Sequence, residues 1–482
     1  MQAGSSSLGL LTDLYQITMA QGYWKTAKDE HEAVFHLFFR RNPFGGAFSV
    51  ACGLAPAIES LRGFGFDESD RSYLSTLRGN DGEPLFEPAF LDYLANLEFA
   101  CDIDALSEGV VAFPQEPLLR VRGPLLQCQL LETPLLTIIN FQTLIATKAA
   151  RICLAAQGEP VLEFGLRRAQ GRDGGLAASR AAYVGGCAGT SNVLAGKVYG
   201  IPVKGTHAHS WIMSFDSEEE SFQAYAQVMP NNCIFLVDTY DTIEGVRHAV
   251  AAGRRLREAG HEMIGIRLDS GDLADLSIEA RRLLDDAGFN EAAIVGSSDL
   301  DEYKIVEIKK RGGQIAVWGV GTRLATAYDD PALTGVYKIS ALREPGGEWK
   351  HCIKLSDDPD KQSMPGIQQV RRFSRNGRFQ SDIIYDEAAP PEAAWQARVF
   401  GDPDTKIALP ADCASEDLLQ PVFRSGALKM ELPPIHDMRR RCLHQLDSLG
   451  PELKQPASAV RYPVGIEDGL FKRKQKLAAA KR

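Results

Sequence analysis

The sequence predicts an α/β fold built on parallel strands, and three observations support this. Short apolar runs recur along the second third of the chain, at 160–164, 201–204, 234–237, 263–266, 292–295, 315–318 and 336–339. Helix-like segments such as 243–259 and 277–287 separate many of them, and strands alternating with helices are typical of parallel β/α units. Most runs are also followed by a short segment that contains glycine and charged or hydroxyl-bearing residues. Seven runs approach the eight strands of a closed barrel, and a doubly wound open sheet is the competing architecture.

Size and composition narrow the class of protein. The chain has 482 residues, of which 44% are hydrophobic and 24% charged, so we expect two or three globular domains. A net charge of −10 offers no basic surface for nucleic acid. No apolar run approaches the roughly 20 residues that a membrane-spanning helix needs, and no signal peptide is evident. Nine scattered cysteines without metal-binding spacing indicate reduced thiols, so we expect a cytoplasmic protein.

The pattern also suggests domain boundaries. Residues 1–130 mix short strands and helices, the first helix beginning near Thr12 or Asp13. From 131 to 156 apolar residues follow helical spacing, which predicts a long buried helix entering a new domain. We therefore expect an N-terminal domain over 1–130, a β/α catalytic domain over 131–350, and a C-terminal region over 351–482.

The predicted strand ends carry the main functional signal. Six runs lead directly into polar, glycine-containing or acidic segments, which are GLRR at 165–168, GTHAH at 205–209, DTYD at 238–241, RLDSGD at 267–272, GSSD at 296–299 and GVGTR at 319–323. In β/α barrels the ligand binds at the carboxyl ends of the strands. Their repetition predicts one active site there, for small-molecule phosphate chemistry.

Several of these segments could bind an anion. Arg167 and Arg168 suit phosphate or carboxylate, with a surface ion pair as the alternative. The glycines of GVGTR resemble a phosphate-binding nest. In GSSD, Ser298 with Asp301 fits a capping box, and a capped helix start also presents N–H groups to an anion.

The histidines and carboxylates at the strand ends are compatible with two kinds of site, a metal site or a site that uses histidine as nucleophile or base. His207 and His209 share one face of an extended chain, as in the metal sites of barrel hydrolases, but His248 and His261 are poorly placed to complete such a site. A histidine there could instead act as nucleophile or base. Asp269 and Asp272 could bind sugar hydroxyls or Mg²⁺, while Asp272 could also cap the next helix. A metal-dependent barrel hydrolase using His207 and His209 therefore remains an alternative.

Long motifs in this chain resemble those of the nicotinate phosphoribosyltransferase family. They are LTDLYQITMA at 11–20, FFRRNPF at 38–44, EFGLRRAQG at 163–171, GTSN at 189–192, GTHAHS at 205–210, RLDSGD at 267–272 and KLSDDPDK at 354–361. The resemblance covers most of the chain. It implies an irregular β/α barrel with a smaller N-terminal α/β sandwich domain and a C-terminal extension that partly completes the sandwich.

The resemblance also implies an activity. Nicotinate and phosphoribosyl pyrophosphate would give nicotinate mononucleotide and pyrophosphate in NAD salvage, coupled to ATP hydrolysis and dependent on Mg²⁺. The implied partners are these small molecules and a second copy of the chain, in a homodimer whose active sites borrow an N-terminal tyrosine. A ligand-binding relative without turnover is a further alternative, although the implied active-site residues are present.

Site residues carry over from the resemblance position by position. The implied catalytic residues are His209, Asp269 and Arg267, with His209 as the phosphorylated histidine. Nicotinate would contact Tyr15, Phe164, Thr206 and Arg267. Phosphoribosyl and phosphate contacts are implied for Arg167, Ser191, Asp269, Gly296, Ser297, Gly319, Gly321 and Thr322. Asp269 and Asp272 are the implied Mg²⁺ ligands, and Ser191 replaces an aspartate found in relatives that use nicotinamide.

Overall fold

The chain forms two compact units. A computed structural model describes residues 9–356, 362–391, 395–410 and 412–481, so part of the KLSDDPDK motif lies outside the described residues. One unit combines the chain up to 144 with the chain from 332 onward, and the other spans 145–331. The expected boundaries of 130 and 350 therefore fall inside the first unit.

Sixteen α-helices are present in the described residues. In chain order they are α1 Leu14–Lys25, α2 Leu54–Arg62, α3 Glu68–Thr76, α4 Pro88–Ala95, α5 Leu125–Leu130, α6 Glu132–Ala156, α7 Gly171–Val184, α8 Val193–Tyr199, α9 His209–Ile212, α10 Glu218–Val228, α11 Thr242–Glu258, α12 Leu273–Asp286, α13 Glu302–Lys310, α14 Thr322–Ala325, α15 Ile435–Asp447 and α16 Asp468–Ala480. Across this described part of the chain, no helix is both long and apolar enough to cross a membrane.

The strands of the described residues number 21. In chain order they are β1 Glu32–Phe39, β2 Ser49–Val50, β3 Asp102–Leu106, β4 Val111–Ala112, β5 Pro117–Pro124, β6 Val161–Glu163, β7 Gly189–Thr190, β8 Ile234–Leu236, β9 Gly265–Leu268, β10 Ala293–Ser297, β11 Val317–Val320, β12 Gly335–Arg343, β13 Lys350–His351, β14 Gln368–Arg375, β15 Arg378–Asp386, β16 Ala397–Val399, β17 Asp402–Ile407, β18 Ala414–Asp417, β19 Leu419–Arg424, β20 Ala427–Leu428 and β21 Val464–Glu467.

The first unit is built from both ends of the chain. Its antiparallel seven-stranded sheet has the order β13-β12-β1-β5-β3-β19-β20, so β19 from the C-terminal part pairs with β3 from the N-terminal part. A second sheet has the order β17-β16-β21-β15-β14-β18. The first strand, β1, is buried along almost its whole length and lies inside the sheet, with β12 on one side and β5 on the other.

The second unit contains the parallel β/α structure. Its sheet has the order β7-β6-β11-β10-β9-β8, and every strand pair is parallel. The first strand in the chain, β6, therefore lies beside the last, β11, which is the cyclic order of a barrel. The run at 201–204 contributes only a bridge between Val203 and Thr190, which makes the barrel irregular. The predicted irregular β/α barrel is confirmed.

One predicted barrel strand is wrong. The run at 336–339 belongs to β12, which pairs antiparallel with β1 in the first unit. A short apolar run shows that a strand is buried but carries no information about which sheet buries it.

The helix signals were more reliable. The predicted helix over 131–156 is α6, whose Leu135, Ile139 and Ile145 are buried. Asp272 caps α12 by accepting from the backbone N–H groups of Ala274 at 3.1 Å and Asp275 at 3.2 Å.

The capping box expected from Ser298 and Asp301 is wrong. Asp301 is itself the cap of α13, because its Oδ1 accepts from Tyr303 N at 3.0 Å and Lys304 N at 2.8 Å. Ser298 lies three residues before this cap, in the turn that leaves β10, so the GSSD segment forms a turn and not a helix start.

Candidate active site

The carboxyl ends of four parallel strands meet around a cavity in the second unit. Its volume is about 380 Å³. Its lining residues are the last residues of β9, β10 and β11 or belong to the segments that follow β6, β9, β10 and β11. They are Phe164, Arg167, Arg168, Arg267, Asp269, Ser297, Ser298, Asp299, Gly319, Gly321 and Thr322. Most of the predicted site residues of the barrel therefore share one cavity, because parallel strands bring their ends to one edge.

Arg267 is the most connected side chain of this cavity. Its Nε donates to Ser297 Oγ at 2.8 Å, Nη1 to Thr206 Oγ1 at 3.1 Å, and Nη2 to Asp269 Oδ1 at 2.6 Å. A guanidinium has five N–H donors, so two remain for a ligand. The arginine is thus held rigidly and can still bind a carboxylate.

Asp269 is ionised in this environment. Burial disfavours its charged form, but the charge of Arg267 and hydrogen bonds from Ser297 and Arg267 hold the pKa of Asp269 below its usual value. Its Oδ2 lies 3.8 Å from His209 Nε2. The carboxylate therefore joins the arginine to the histidine predicted to be phosphorylated.

Phe164 forms the aromatic wall. Its ring lies beneath the Arg267 guanidinium, with the central carbon 5.7 Å from the ring centroid. A Cβ atom at Gly319 would come within 2.8 Å of this ring, so glycine is needed there for the close approach of β11 to Phe164. The predicted role of Gly319 as a nest residue stays a prediction, while its packing role is visible.

Gly296 has a comparable packing role. It is buried within β10, and a Cβ atom there would lie 3.0 Å from the side chain of Ile315. It is not among the residues that line the cavity, whereas its neighbour Ser297 is.

His209 begins α9 at the edge of the site. Its Nδ1 shares a 3.0 Å hydrogen bond with Thr239 Oγ1, and its side chain is 39% exposed. One nitrogen thus faces a hydroxyl and the other faces a carboxylate, which fixes the orientation of the ring while leaving it accessible to solvent.

Asp238 lies in the strand-end segment DTYD but is not among the individually predicted site residues. It follows β8, and its Oδ2 accepts from Asp269 N at 2.8 Å and from Ser270 Oγ at 2.6 Å. Its Oδ1 is buried and has no hydrogen-bond partner among the described residues. The DTYD segment was a visible signal, since a carboxylate directly after a barrel strand points toward the ligand end.

Glu163 is a buried residue at the end of β6 that holds neighbouring segments of the site together through hydrogen bonds. It is 1% exposed and accepts from Thr190 Oγ1 at 2.6 Å, from Ser179 Oγ at 2.9 Å, and from the backbone N–H of Gly165. Its own carbonyl accepts from Ser191 N at 2.9 Å. The buried carboxylate therefore connects the turn after Phe164 with the segment that carries Ser191.

The remaining predicted residues lie outside the cavity lining. Thr206 contacts the site through Arg267, and Asp272 uses one oxygen to cap α12 and the other to pair with Arg311 at 2.9 Å. Tyr15 belongs to the first unit, on α1, where it is 47% exposed.

His207 does not form a pair with His209. It is 8% exposed, and its Nε2 accepts from the backbone N–H of Leu236 at 3.3 Å. Burial lowers the pKa of His207 to about 4, so the ring is neutral. Among the described residues, no group of three side chains of the metal-binding types comes together. The two-histidine metal site of the alternative reading is therefore not formed.

The buried state of His207 makes stability depend on pH. Its pKa is about 6.5 when unfolded and about 4 when folded, so between these values only the unfolded chain binds the proton. The contribution of the neutral His207 to the unfolding free energy is therefore fully present above pH 6.5 and is lost as the pH falls toward 4. Lowering the pH from 7 to 5 reduces the unfolding free energy of both proteins. We expect this reduction to be about 2 kcal/mol smaller in His207→Gln than in the unmodified chain, because glutamine takes up no proton. Chemical denaturation at both pH values measures this, with partly exposed His261→Gln as control. An equal loss in the His207 variant would contradict it.

Fold and cavity together define a β/α-barrel protein whose strand-end cavity is lined by arginine side chains and an aromatic ring. Sequence profiles of known families extend this description. The profile of the nicotinate phosphoribosyltransferase N-terminal domain matches residues 10–140, that of the family matches 160–383, and that of the C-terminal domain matches 367–474. The nicotinate phosphoribosyltransferase of Bacillus subtilis (strain 168) is 42% identical over 476 residues, covering 97% of this chain and 94% of the relative. The chain belongs to the nicotinate phosphoribosyltransferase family.

Solved structures agree with this assignment. Human nicotinic acid phosphoribosyltransferase superposes with a TM-score of 0.84 at 33% identity, covering 97% of this chain and 100% of the human chain. The nicotinate-nucleotide pyrophosphorylase of Pyrococcus furiosus superposes with a TM-score of 0.70 at 22% identity, covering 92% and 96%. At that identity the second likeness concerns the fold alone. The alternative of a metal-dependent hydrolase has no support from any of these matches.

Proposed function

We propose that this enzyme transfers the phosphoribosyl group of phosphoribosyl pyrophosphate to the ring nitrogen of nicotinate, giving nicotinate mononucleotide and pyrophosphate in NAD salvage. Family membership supports the reaction. The observation that carries it is the placement of Arg267. Its guanidinium keeps two unused N–H donors and lies over the Phe164 ring, in a cavity that also contains most of the predicted phosphate residues.

The nicotinate end of the site is formed by an arginine and an aromatic ring. The guanidinium of Arg267 would bind the carboxylate of nicotinate through two hydrogen bonds, and the pyridine ring would stack on Phe164. Tyr15 of a second copy would complete the stack, so we propose a homodimer. Ser191 leaves this region without the acidic side chain that would repel a carboxylate.

The phosphoribosyl end favours departure of pyrophosphate. Arg167 and Arg168 follow β6 on the cavity wall, where their charges would offset the negative charge that develops on the leaving group. Positive charge would build up on the ribose ring, as in glycoside chemistry, and the carboxylate of Asp269 would balance it. Holding both substrates in one cavity then contributes most of the acceleration.

The carboxylates suit Mg²⁺ as well. This ion prefers oxygen ligands and keeps several waters, using one or two protein carboxylates together with substrate phosphates. Asp269 Oδ2 and the unpartnered Asp238 Oδ1 fit that requirement, whereas both oxygens of Asp272 are occupied. Bound Mg²⁺ would supply charge neutralisation of the pyrophosphate.

His209 is the proposed site of energy coupling. An accessible imidazole can accept a phosphoryl group from ATP, and the added negative charge would change the affinity for the other substrates. Coupling then follows from the different affinities of the phosphorylated and free forms. The nine scattered cysteines, without metal-binding spacing, support a reducing, cytoplasmic setting.

A turnover assay tests the proposal directly. The protein is incubated with nicotinate, phosphoribosyl pyrophosphate and Mg²⁺, with and without ATP, and nicotinate mononucleotide is measured by chromatography. We expect product with nicotinate, more product with ATP, and little with nicotinamide as the matched neutral control. Absence of nicotinate mononucleotide under every condition would refute the proposed function.

A further inference from the structure

The turn after β10 has an unusual backbone. Ser298 has φ 142° and Asp299 has φ 44°, both in the region that side chains rarely adopt, and both residues line the cavity. Such conformations are strained and persist only where the surroundings enforce them. The contacts of this turn should therefore reveal what holds it.

Arg323 is the side chain that holds the turn. Its Nε donates to Asp299 Oδ2 at 3.1 Å, and its Nη1 contacts Asp301 Oδ2 at 3.4 Å and Asp329 Oδ1 at 3.2 Å. Its guanidinium also covers the Tyr328 ring at 4.7 Å. Although Arg323 directly follows Thr322 of the predicted phosphate segment, three carboxylates engage it, and it is not among the cavity-lining residues.

This arginine is anchored to a buried ionic network. Asp329 Oδ2 accepts from Lys148 Nζ at 2.6 Å, and the fully buried Lys148 also contacts Glu302 at 2.7 Å. Glu302 in turn accepts from Arg151 at 2.9 Å. The network therefore anchors Arg323 through Asp329, while Lys304 Nζ donates to the carbonyl of Asp299 at 2.9 Å.

Asp299 is the reason such an anchor is needed. Its side chain is 52% exposed on the wall of a cavity that would bind a phosphate. An unpaired carboxylate there would repel the phosphate, because like charges brought together at a binding surface weaken binding. Arg323 Nε pairs with this carboxylate at 3.1 Å, closer than Lys304 Nζ at 3.6 Å, and so offsets its negative charge.

We propose that Arg323 is a positioning residue for phosphoribosyl pyrophosphate: it neutralises Asp299 and holds the Ser298–Asp299 turn in its cavity-lining conformation. This inference rests on the proposed function, since it assumes that the cavity receives a phosphate. It gives the last residue of the GVGTR segment an electrostatic role that does not involve touching the substrate.

Substrate kinetics of paired variants test the proposal. We expect Arg323→Met to raise KM for phosphoribosyl pyrophosphate about tenfold, with KM for nicotinate changed much less, because the uncovered charge lies at the phosphate side. Arg323→Met combined with Asp299→Asn should recover most of the lost affinity. Asparagine adopts the positive φ of this position as readily as aspartate, so the rescue changes charge and not backbone.

Control measurements separate this role from general damage. Arg282→Met removes another arginine that bridges two carboxylates, Glu279 at 2.7 Å and Asp286 at 3.2 Å, on the outside of α12, and should leave both KM values unchanged. An unchanged KM for phosphoribosyl pyrophosphate in Arg323→Met would overturn the inference, as would a double variant no better than the single one. If the unmodified chain itself makes no nicotinate mononucleotide, the proposed function fails instead.

Discussion

Replacing Arg267 by alanine is expected to lower kcat/KM for nicotinate by about 10³-fold, the largest effect of any single change in the cavity. The variant loses the two donors proposed for the nicotinate carboxylate. It also leaves Asp269 without the partner that holds its pKa low, so the electrostatics of the whole site change. Steady-state kinetics with each substrate varied in turn measure the loss.

Arg267→Lys sharpens this test. Lysine keeps the positive charge but cannot bridge Thr206, Ser297 and Asp269 while also binding a carboxylate through two hydrogen bonds. We expect a large defect in this variant as well, mainly in KM for nicotinate. Arg282→Ala, on the surface of α12, serves as the matched control. A fully active Arg267→Lys enzyme would show that charge alone is enough and that the proposed recognition is wrong.

Replacing His209 by alanine should abolish the stimulation by ATP. Without the imidazole there is no acceptor for the phosphoryl group, so the ratio of rates with and without ATP should fall to about one. Some ATP-independent transfer should remain, because Arg267, Asp269 and Phe164 are unchanged. Product formation and ATP consumption are measured in the same reaction.

The control for this change is His261→Ala. His261 lies at the start of the segment before β9, where its Nδ1 contacts Asn231 Oδ1 at 2.8 Å, and its loss should leave stimulation by ATP intact. Radiolabel transfer from γ-labelled ATP to the unmodified protein, absent in His209→Ala, would support the phosphohistidine independently. Normal stimulation of His209→Ala by ATP would show that coupling occurs elsewhere.

Much of the site could be predicted because it lies at strand ends. Phe164, Arg167, Arg267, Asp269 and Ser297 each follow or end an apolar run, and parallel strands place such residues at one edge whatever the packing of the rest. Motif resemblance then supplied roles that spacing alone left open.

Other features depended on long-range contacts and could not be predicted. The apolar run at 336–339 has the composition of a barrel strand, but its partner is β1, about 300 residues earlier in the chain. Asp238 and Asp301 were both visible as carboxylates near elements of the barrel. Only the hydrogen bonds showed that the first supports the Asp269 segment and that the second caps α13.

The α/β class and the strand-end segments that carry Phe164, His209 and Arg267 follow from the sequence alone. Local hydrophobic pattern and motif order are sufficient for these, since they depend on residues that are near one another in the chain. Which side chains remain available to a ligand depends on the folded structure. His207 is buried and neutral while His209 is accessible, and Arg323 is occupied by three carboxylates while Arg267 keeps donors free. Burial and pairing of charges arise from residues far apart in sequence, so only the folded chain reveals them.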